Sequence, residues 1–74
     1  MRRYYFHVRR GLLTVIDPDG MELAGDIEAA LEAARRGRAI ARSQALRGVP
    51  TEGNLIIVED EWEFPVAEFP LEVC

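Results

Sequence analysis

The first residues of the chain alternate between two kinds of side chain, with the period of two that a β-strand imposes. Every second position from 4 to 8 is apolar and predicts contact with a core, namely Tyr4, Phe6 and Val8. The positions between them form a basic and aromatic face: Arg3, Tyr5, His7 and Arg9. Two such unlike faces are typical of an antiparallel sheet that is covered on one side and open on the other. The open side, with Arg3, Tyr5, His7 and Arg9, is therefore the predicted interaction surface.

Two more strand-like segments precede the first helical pattern. A turn at Arg10-Gly11 leads into residues 12–16, which are rich in β-branched side chains and predict a second strand. The sequence Asp17-Pro18-Asp19-Gly20 predicts a further turn, because proline presets φ and Gly20 can take the left-handed conformation. Residues 21–24 then predict a short third strand that completes a meander.

One long helix is predicted to begin at Asp26 and to end at Gly48, which Val49 and Pro50 follow. Asp26 is a favourable N-cap residue, and the acidic side chains come early and the arginines late, as the helix dipole favours. Its predicted core-facing residues are mostly small: Ile27, Ala30, Leu31, Ala34, Ala41 and Ala45, with Gly37 on the flank. Such a face predicts close approach to a sheet, which would account for a glycine in a helix interior.

The last third of the chain predicts a hairpin. Residues 54–59 contain four successive apolar positions and predict a central strand, followed by a turn at Asp60-Glu61. Trp62, Phe64 and Val66 then alternate with polar residues and proline, as in a strand with one buried face. This final strand is predicted at a sheet edge, because Pro65 and Pro70 cannot donate ladder hydrogen bonds.

These elements predict a single α+β domain over residues 1–74. Its order is β-β-(β)-α-β-β: an antiparallel sheet of four or five strands with one long helix packed on one face. An arrangement with the first strand central, beside the last, would bring Arg3 and Arg9 near Glu59, Glu61 or Glu63 on the open face.

The charges of the chain are divided between its two halves. All nine basic residues are arginines at or before Arg47, and the seven acidic residues after that point have no basic neighbour in sequence. This division favours mutual neutralisation within the fold, and it can also indicate a nucleic-acid face. The clustered side chains Arg35, Arg36, Arg38 and Arg42 are the best candidates for phosphate contacts, although Glu32 lies four residues before Arg36, the favourable spacing for an ion pair.

Nothing in the sequence predicts a catalytic, cofactor or metal site. His7 is the only histidine, no serine or threonine is spaced to form a triad with it, and a histidine packed between Tyr5 and a carboxylate is the favoured interpretation. The turn at residues 17–20 lacks the spacing of a calcium loop. Cys74 is the only cysteine, and no apolar run is long enough to cross a membrane. We therefore expect a cytoplasmic protein that is not an enzyme.

The opening motif Arg3-Tyr4-Tyr5-Phe6-His7-Val8-Arg9-x-Gly11 resembles that of a family of short bacterial proteins known only as a domain of unknown function. The resemblance continues through residues 17–23, the helix from Asp26 and residues 56–61, and so spans nearly the whole chain. Arg10 departs from the aspartate that the family often has before the glycine. The resemblance implies one compact cytoplasmic domain and brings no activity, ligand or catalytic residue to carry over.

The sequence thus favours a non-enzymatic protein-interaction or regulatory module. Its predicted partner is a second copy of the chain, since a domain of this size has few other means of stabilisation, or an unidentified protein. The alternative is a nucleic-acid-binding regulator that uses the arginines of the first strand and the helix.

Overall fold

The computed structural model describes residues 1–49 and 53–71; Pro50, part of the predicted helix end, and Cys74 lie outside these ranges. The elements follow in the order β1 (Arg2–Arg10), β2 (Leu13–Val15), β3 (Met21–Leu23), α1 (Asp26–Leu46), β4 (Leu55–Asp60) and β5 (Pro65–Pro70). The α+β class, the single helix and the antiparallel five-stranded sheet are confirmed, including the short third strand.

β1 lies in the middle of the sheet and is paired along both edges. One edge pairs with β4 from Tyr4 to Arg9. The other edge is shared: β2 pairs with residues 8–10 and β3 with residues 2–4, which leaves residues 5–7 without a ladder partner on that side. β5 pairs with the far edge of β4 and closes the order β2-β1-β4-β5. The arrangement with β1 beside the last strand, which the charges would suit, does not occur, because β4 separates the two.

The core lies between α1 and one face of the sheet. The largest fully buried side chains come from the sheet and the residue after it: Tyr4, Ile56, Val58 and Leu71. The helix contributes small residues and lies over β4 and β5 while reaching β3. Gly37 faces Leu71 and Ile56, and a Cβ there would lie 3.5 Å and 3.6 Å from their side chains, so an alanine would also fit at this helix–sheet distance.

The buried face of α1 includes the predicted Ala41 and the flanking Gly37 but otherwise differs from the predicted face, and Ala45 is exposed. The buried positions are Ala29, Ala33, Gly37, Ala41 and Gln44. Ile27 and Leu31, predicted to face the core, are 73% and 67% exposed. The physical reason is volume: because the sheet supplies the large side chains, the buried stripe from residue 29 to residue 41 consists of alanine and glycine at a spacing of four. The Gln44 amide is buried with no hydrogen-bond partner among the residues that the structure describes.

The start of α1 also corrects a prediction. Gly25, and not Asp26, is the N-cap residue, and Asp26 is the first residue of the helix. The Asp26 carboxylate accepts a 2.6 Å hydrogen bond from the hydroxyl of Tyr4, a fully buried side chain of β1. This hydrogen bond, with burial, raises the pKa of Tyr4 above its ordinary value. Asp26 therefore ties the helix to the central strand instead of capping its own first turn.

The predicted last strand begins too early. Trp62 and Phe64, expected on its buried face, are exposed and precede β5. They belong to a turn in which Glu63 has a left-handed φ of 66°, which interrupts strand alternation. β5 is an edge strand, as Pro65 and Pro70 predict, because the two prolines form its ends.

Gly20 has a left-handed backbone and also lies against β1. Its φ is +72°, as the turn sequence predicts, and a Cβ there would lie 2.9 Å from the carbonyl oxygen of Tyr4 and 2.9 Å from Cε1 of Tyr5. We expect Gly20→Ala to lower the free energy of unfolding by about 2–4 kcal/mol, from backbone strain and overpacking together. Urea denaturation followed by circular dichroism measures this change.

Gly11→Ala is the matched control, because Gly11 has a similar φ of +60° and nothing within 4 Å of its Cβ position. Gly11→Ala should lower the free energy of unfolding by about 1 kcal/mol, because only the strain of the left-handed backbone applies there. Equal losses in the two variants would contradict the packing of residue 20 against β1.

Candidate functional site

A cleft of about 280 Å³ opens on the sheet face that α1 does not cover. Three parts of the chain form it: β1, the loop after β2, and the end of β4 with the turn that follows. The side chains that line it are Tyr5, His7, Ile16, Asp17, Pro18, Glu59, Glu61 and Glu63. Two of the four residues predicted as an interaction surface, Tyr5 and His7, thus meet in this cleft.

His7 is held on both ring nitrogens. Its Nδ1 accepts a 3.1 Å hydrogen bond from the backbone N–H of Asp17, so the ring proton lies on Nε2 and is donated to Glu59 Oε1 at 3.0 Å. The ring stacks on Tyr5 with 6.3 Å between centroids and 13° between planes, and the residue is only 8% exposed. His7 is therefore packed between Tyr5 and a carboxylate, as the sequence favours, and is not the exposed side chain of an open surface.

Asp17 holds the loop that forms one wall of the cleft. In the gap between β2 and β3, its carboxylate accepts the backbone N–H of Phe6 at 3.2 Å, where a strand carbonyl would otherwise bind. The same carboxylate accepts the N–H groups of Asp19 and Gly20, both at 3.2 Å. Desolvation raises the pKa of Asp17, but these three hydrogen bonds outweigh it and hold the pKa below its ordinary value. The wall of the cleft thus depends on an ionised aspartate.

The opposite wall is organised by a second aspartate, Asp60. This residue is buried, and its Oδ1 accepts the backbone N–H groups of Trp62 and Phe64, each at 2.9 Å. These two hydrogen bonds hold the turn at residues 61–64, and this turn carries Glu61 and Glu63 to the cleft. Sequence reasoning places a turn at Asp60-Glu61 but misses the cleft, because only the pairing of β1 with β4 brings this turn opposite the loop at Asp17.

The cleft is acidic, in contrast to the basic face that the sequence suggests. Its lining contains four carboxylates and no arginine. Arg3, predicted near the acids after β4, bonds instead to Glu22 at 2.9 Å and to the carbonyl of Asp19 at 2.8 Å. Arg9 lies opposite Leu55 and is exposed. The expected pairing of Arg3 and Arg9 with Glu59, Glu61 or Glu63 is wrong, because the register sets Glu59 opposite Tyr5.

The helix arginines do not form one free cluster. Arg35 and Arg36 both bond to Glu32, at 2.6 Å and 2.7 Å for their shortest contacts. Arg36 also lies over the Phe6 ring, 4.2 Å from its centroid, whereas Arg38 is exposed. The predicted pair between Glu32 and Arg36 is confirmed, and two of the candidate phosphate-binding arginines are already engaged within the chain.

The described part of the chain contains no group of three or more His, Cys, Asp or Glu side chains placed to hold a metal ion. Within residues 1–49 and 53–71, no helix combines the length and the apolar character that crossing a bilayer requires.

We expect His7 to be the Nε2–H tautomer, because the Asp17 N–H occupies Nδ1. Long-range ¹H–¹⁵N NMR at a pH where imidazole is neutral, about 8, reads the tautomer directly. His7→Ala should also lower the free energy of unfolding by about 1–3 kcal/mol, since it leaves the Asp17 N–H without its acceptor. An Nδ1–H signal would contradict the geometry.

Glu32 should contribute to the pH dependence of stability. Its hydrogen bonds from Arg35 outweigh the opposing effect of desolvation and, with those from Arg36, lower its pKa from 4.5 to about 2. A carboxyl group whose pKa is lower in the folded than in the unfolded chain stabilises the fold at pH values above its unfolded pKa. The stabilisation from Glu32 is therefore complete above pH 4.5 and is lost as the pH falls toward about 2. Glu32→Gln should lower the free energy of unfolding by about 1 kcal/mol near neutral pH. Chemical denaturation should show that this difference from the natural chain becomes smaller over the same acidic range. A deficit that does not change with pH would contradict the ionic contribution.

Comparison with known proteins connects this geometry to one family. Neither a search of curated proteins nor a search of solved structures returned a match. A family model does match, and it covers residues 3–72, that is, nearly the whole chain and every wall of the cleft. The chain therefore belongs to the family described as Domain of unknown function (DUF6894).

Proposed function

We propose that this chain is a cytoplasmic protein-interaction module that acts without catalysis, and that its cleft receives a cationic side chain of a partner protein. The observation that carries the proposal is the lining of the cleft, which contains a tyrosine ring and four carboxylates and has no arginine or lysine. Carboxylates attract a guanidinium or ammonium group, and a tyrosine ring adds a cation–π contact.

The state of His7 supports a binding role over an enzymatic one. A general base needs a free nitrogen lone pair, and the lone pair of His7 Nδ1 already accepts the Asp17 N–H. The proton on Nε2 is directed to Glu59. His7 is the only histidine of the chain, and because its two ring nitrogens bond to opposite walls of the cleft, its imidazole holds these walls at a fixed distance.

The backbone at Glu63 supports the same role for the opposite wall. A left-handed conformation at a residue other than glycine costs about 1–3 kcal/mol, and such positions concentrate at binding sites. Glu63 has a φ of 66° and lines the cleft. A glycine would adopt this backbone conformation more easily, but it would not supply the carboxylate that Glu63 places in the cleft.

The nucleic-acid alternative has less support from this geometry. A phosphate would meet acidic side chains in the cleft, and Arg3, Arg35 and Arg36 are bonded to carboxylates of the same chain. Binding to phosphate would have to displace those pairs.

The proposal is tested by NMR titration of the ¹⁵N-labelled chain with N-acetyl-argininamide and with its neutral citrulline analogue. We expect the arginine probe alone to shift the resonances of Tyr5, His7 and the turn at residues 61–63, and added salt to weaken its binding. Glu61→Gln should weaken binding roughly threefold, the value of one exposed ion pair. Glu68→Gln, on β5 outside the cleft lining, is the matched control and should leave binding unchanged.

Glu63→Gly separates binding from folding. It removes a carboxylate from the cleft and relieves the left-handed backbone, so the affinity for the arginine probe should fall while the free energy of unfolding does not. Equal shifts with the citrulline analogue, or shifts that occur away from the cleft, would overturn the proposal.

A further inference from the structure

The two edges of the sheet are unlike. β5 has proline at both ends and Glu68 within it, which are features that prevent a strand from pairing with another chain. β2 lies at the opposite edge, and residues 11–16 around it carry no charge. The four large apolar side chains of this segment are all more than half exposed: Leu12, Leu13, Val15 and Ile16. An uncharged apolar edge of this kind is a site for strand pairing.

The helix-side face of β2 is exposed because α1 does not extend over it. The helix contacts β3, β4 and β5, and Leu13 and Val15 lie on the helix side of the sheet with no element of the described residues packed over them. No strand in the described part of the chain pairs with the outer edge of β2.

The backbone direction of β2 follows from β1. The N–H of Phe6 points toward the loop at Asp17, which lies on the β2 edge of β1. Because backbone directions alternate along a strand, Val8 and Arg10 point the same way, toward their partners Val15 and Leu13. Thr14, between those partners, must therefore direct its N–H and C=O away from β1. Among the residues that the structure describes, the backbone N–H and C=O of Thr14 have no partner, and they lie at the centre of the edge.

We propose that β2 pairs with β2 of a second copy of the chain, antiparallel, about a two-fold axis at Thr14. In this register the two Thr14 residues exchange both backbone hydrogen bonds. Leu13 lies opposite Val15 of the second copy, so the apolar side chains of the strand meet one another, and Leu12 and Ile16 flank that contact. The two sheets then form one continuous sheet, and the interface is isologous, as in most homodimers.

Charge and symmetry both favour a second copy in the antiparallel direction. Residues 11–16 carry no charge, so two copies of this segment can meet without opposing like charges. Arg10 lies on β1, paired with Leu13, and so does not enter the contact between the two β2 strands. Two identical strands exchange equivalent backbone hydrogen bonds about a two-fold axis only when they run antiparallel.

Disulfide cross-linking tests the register. In a Cys74→Ser background, Thr14→Cys should form a covalent dimer on mild oxidation, because the paired Cα atoms would be about 5.5 Å apart. Leu13→Cys is the matched control and should not self-link, because its copies would be about 8 Å apart, beyond disulfide reach. A mixture of Leu13→Cys with Val15→Cys should cross-link, since those positions face each other.

Sedimentation velocity over a range of protein concentrations tests the interaction itself. The natural chain should show a concentration-dependent increase toward twice its monomer mass. Thr14→Pro removes the outward N–H and should abolish that increase, with circular dichroism checking that the fold is kept. Thr14→Val keeps the N–H and a similar shape, and it should retain the dimer.

A natural chain that stays monomeric at every concentration would overturn the proposal, and so would a folded Thr14→Pro variant that still dimerises. If Thr14→Pro does not fold, cross-linking decides: equal yields from Thr14→Cys and Leu13→Cys would overturn the pairing. These outcomes are distinguishable from those of the arginine titration, because cross-linking and sedimentation are measured without the probe, although Ile16 and Asp17 border both the cleft and the paired segment.

Discussion

The structure depends on the pairing of β1 along both of its edges. This strand pairs with β4 on one side and with β2 and β3 on the other, so every other strand except β5 is placed by it. Its alternate side chains serve two different regions. Tyr4 and Phe6 are in the core and Tyr5 and His7 are in the cleft, so a shift of one residue in register would exchange the two sets.

A gap in that pairing creates the cleft. Opposite residues 5–7 there is no strand on the β2 side, and a carboxylate bonds to the backbone of β1 in its place. The loop that Asp17 holds then supplies the backbone N–H that donates to His7 Nδ1. His7 Nε2 in turn donates to Glu59 on the neighbouring strand β4. One loop and one strand end are thus linked through a single imidazole. The carboxylate bonds to the β1 backbone that this gap leaves without a strand partner. The gap also leaves a concave acidic surface, where a continuous strand would have given a flat one.

The helix and the sheet divide the volume of the core unequally. Aromatic and branched side chains of the sheet fill it, and the helix contributes a stripe of alanine and glycine. Close approach of the helix to β4 and β5 leaves β2 beyond its reach, and this explains why the apolar residues of β2 stay exposed while those of β4 are buried or half-buried. The exposed apolar face of β2 is therefore a consequence of how the core is packed.

Local patterns in the sequence determined the elements and their class. Alternation in β1, the left-handed turn at Gly20 and the edge character given by Pro65 and Pro70 are each set within a few residues, where backbone sterics and period suffice. Packing His7 against Tyr5 and a carboxylate also followed from the sequence, since both neighbours follow from strand alternation and charge. Tertiary structure alone decided the buried face of the helix, because stripes through Ile27 and Leu31 or through Ala29 and Ala33 are both helical, and only the volume of the sheet side chains selects one. It also decided the sign of charge in the cleft: the register of β1 with β4 sets Glu59 beside His7 and leaves Arg3 to Glu22, and register is a long-range property that composition does not contain.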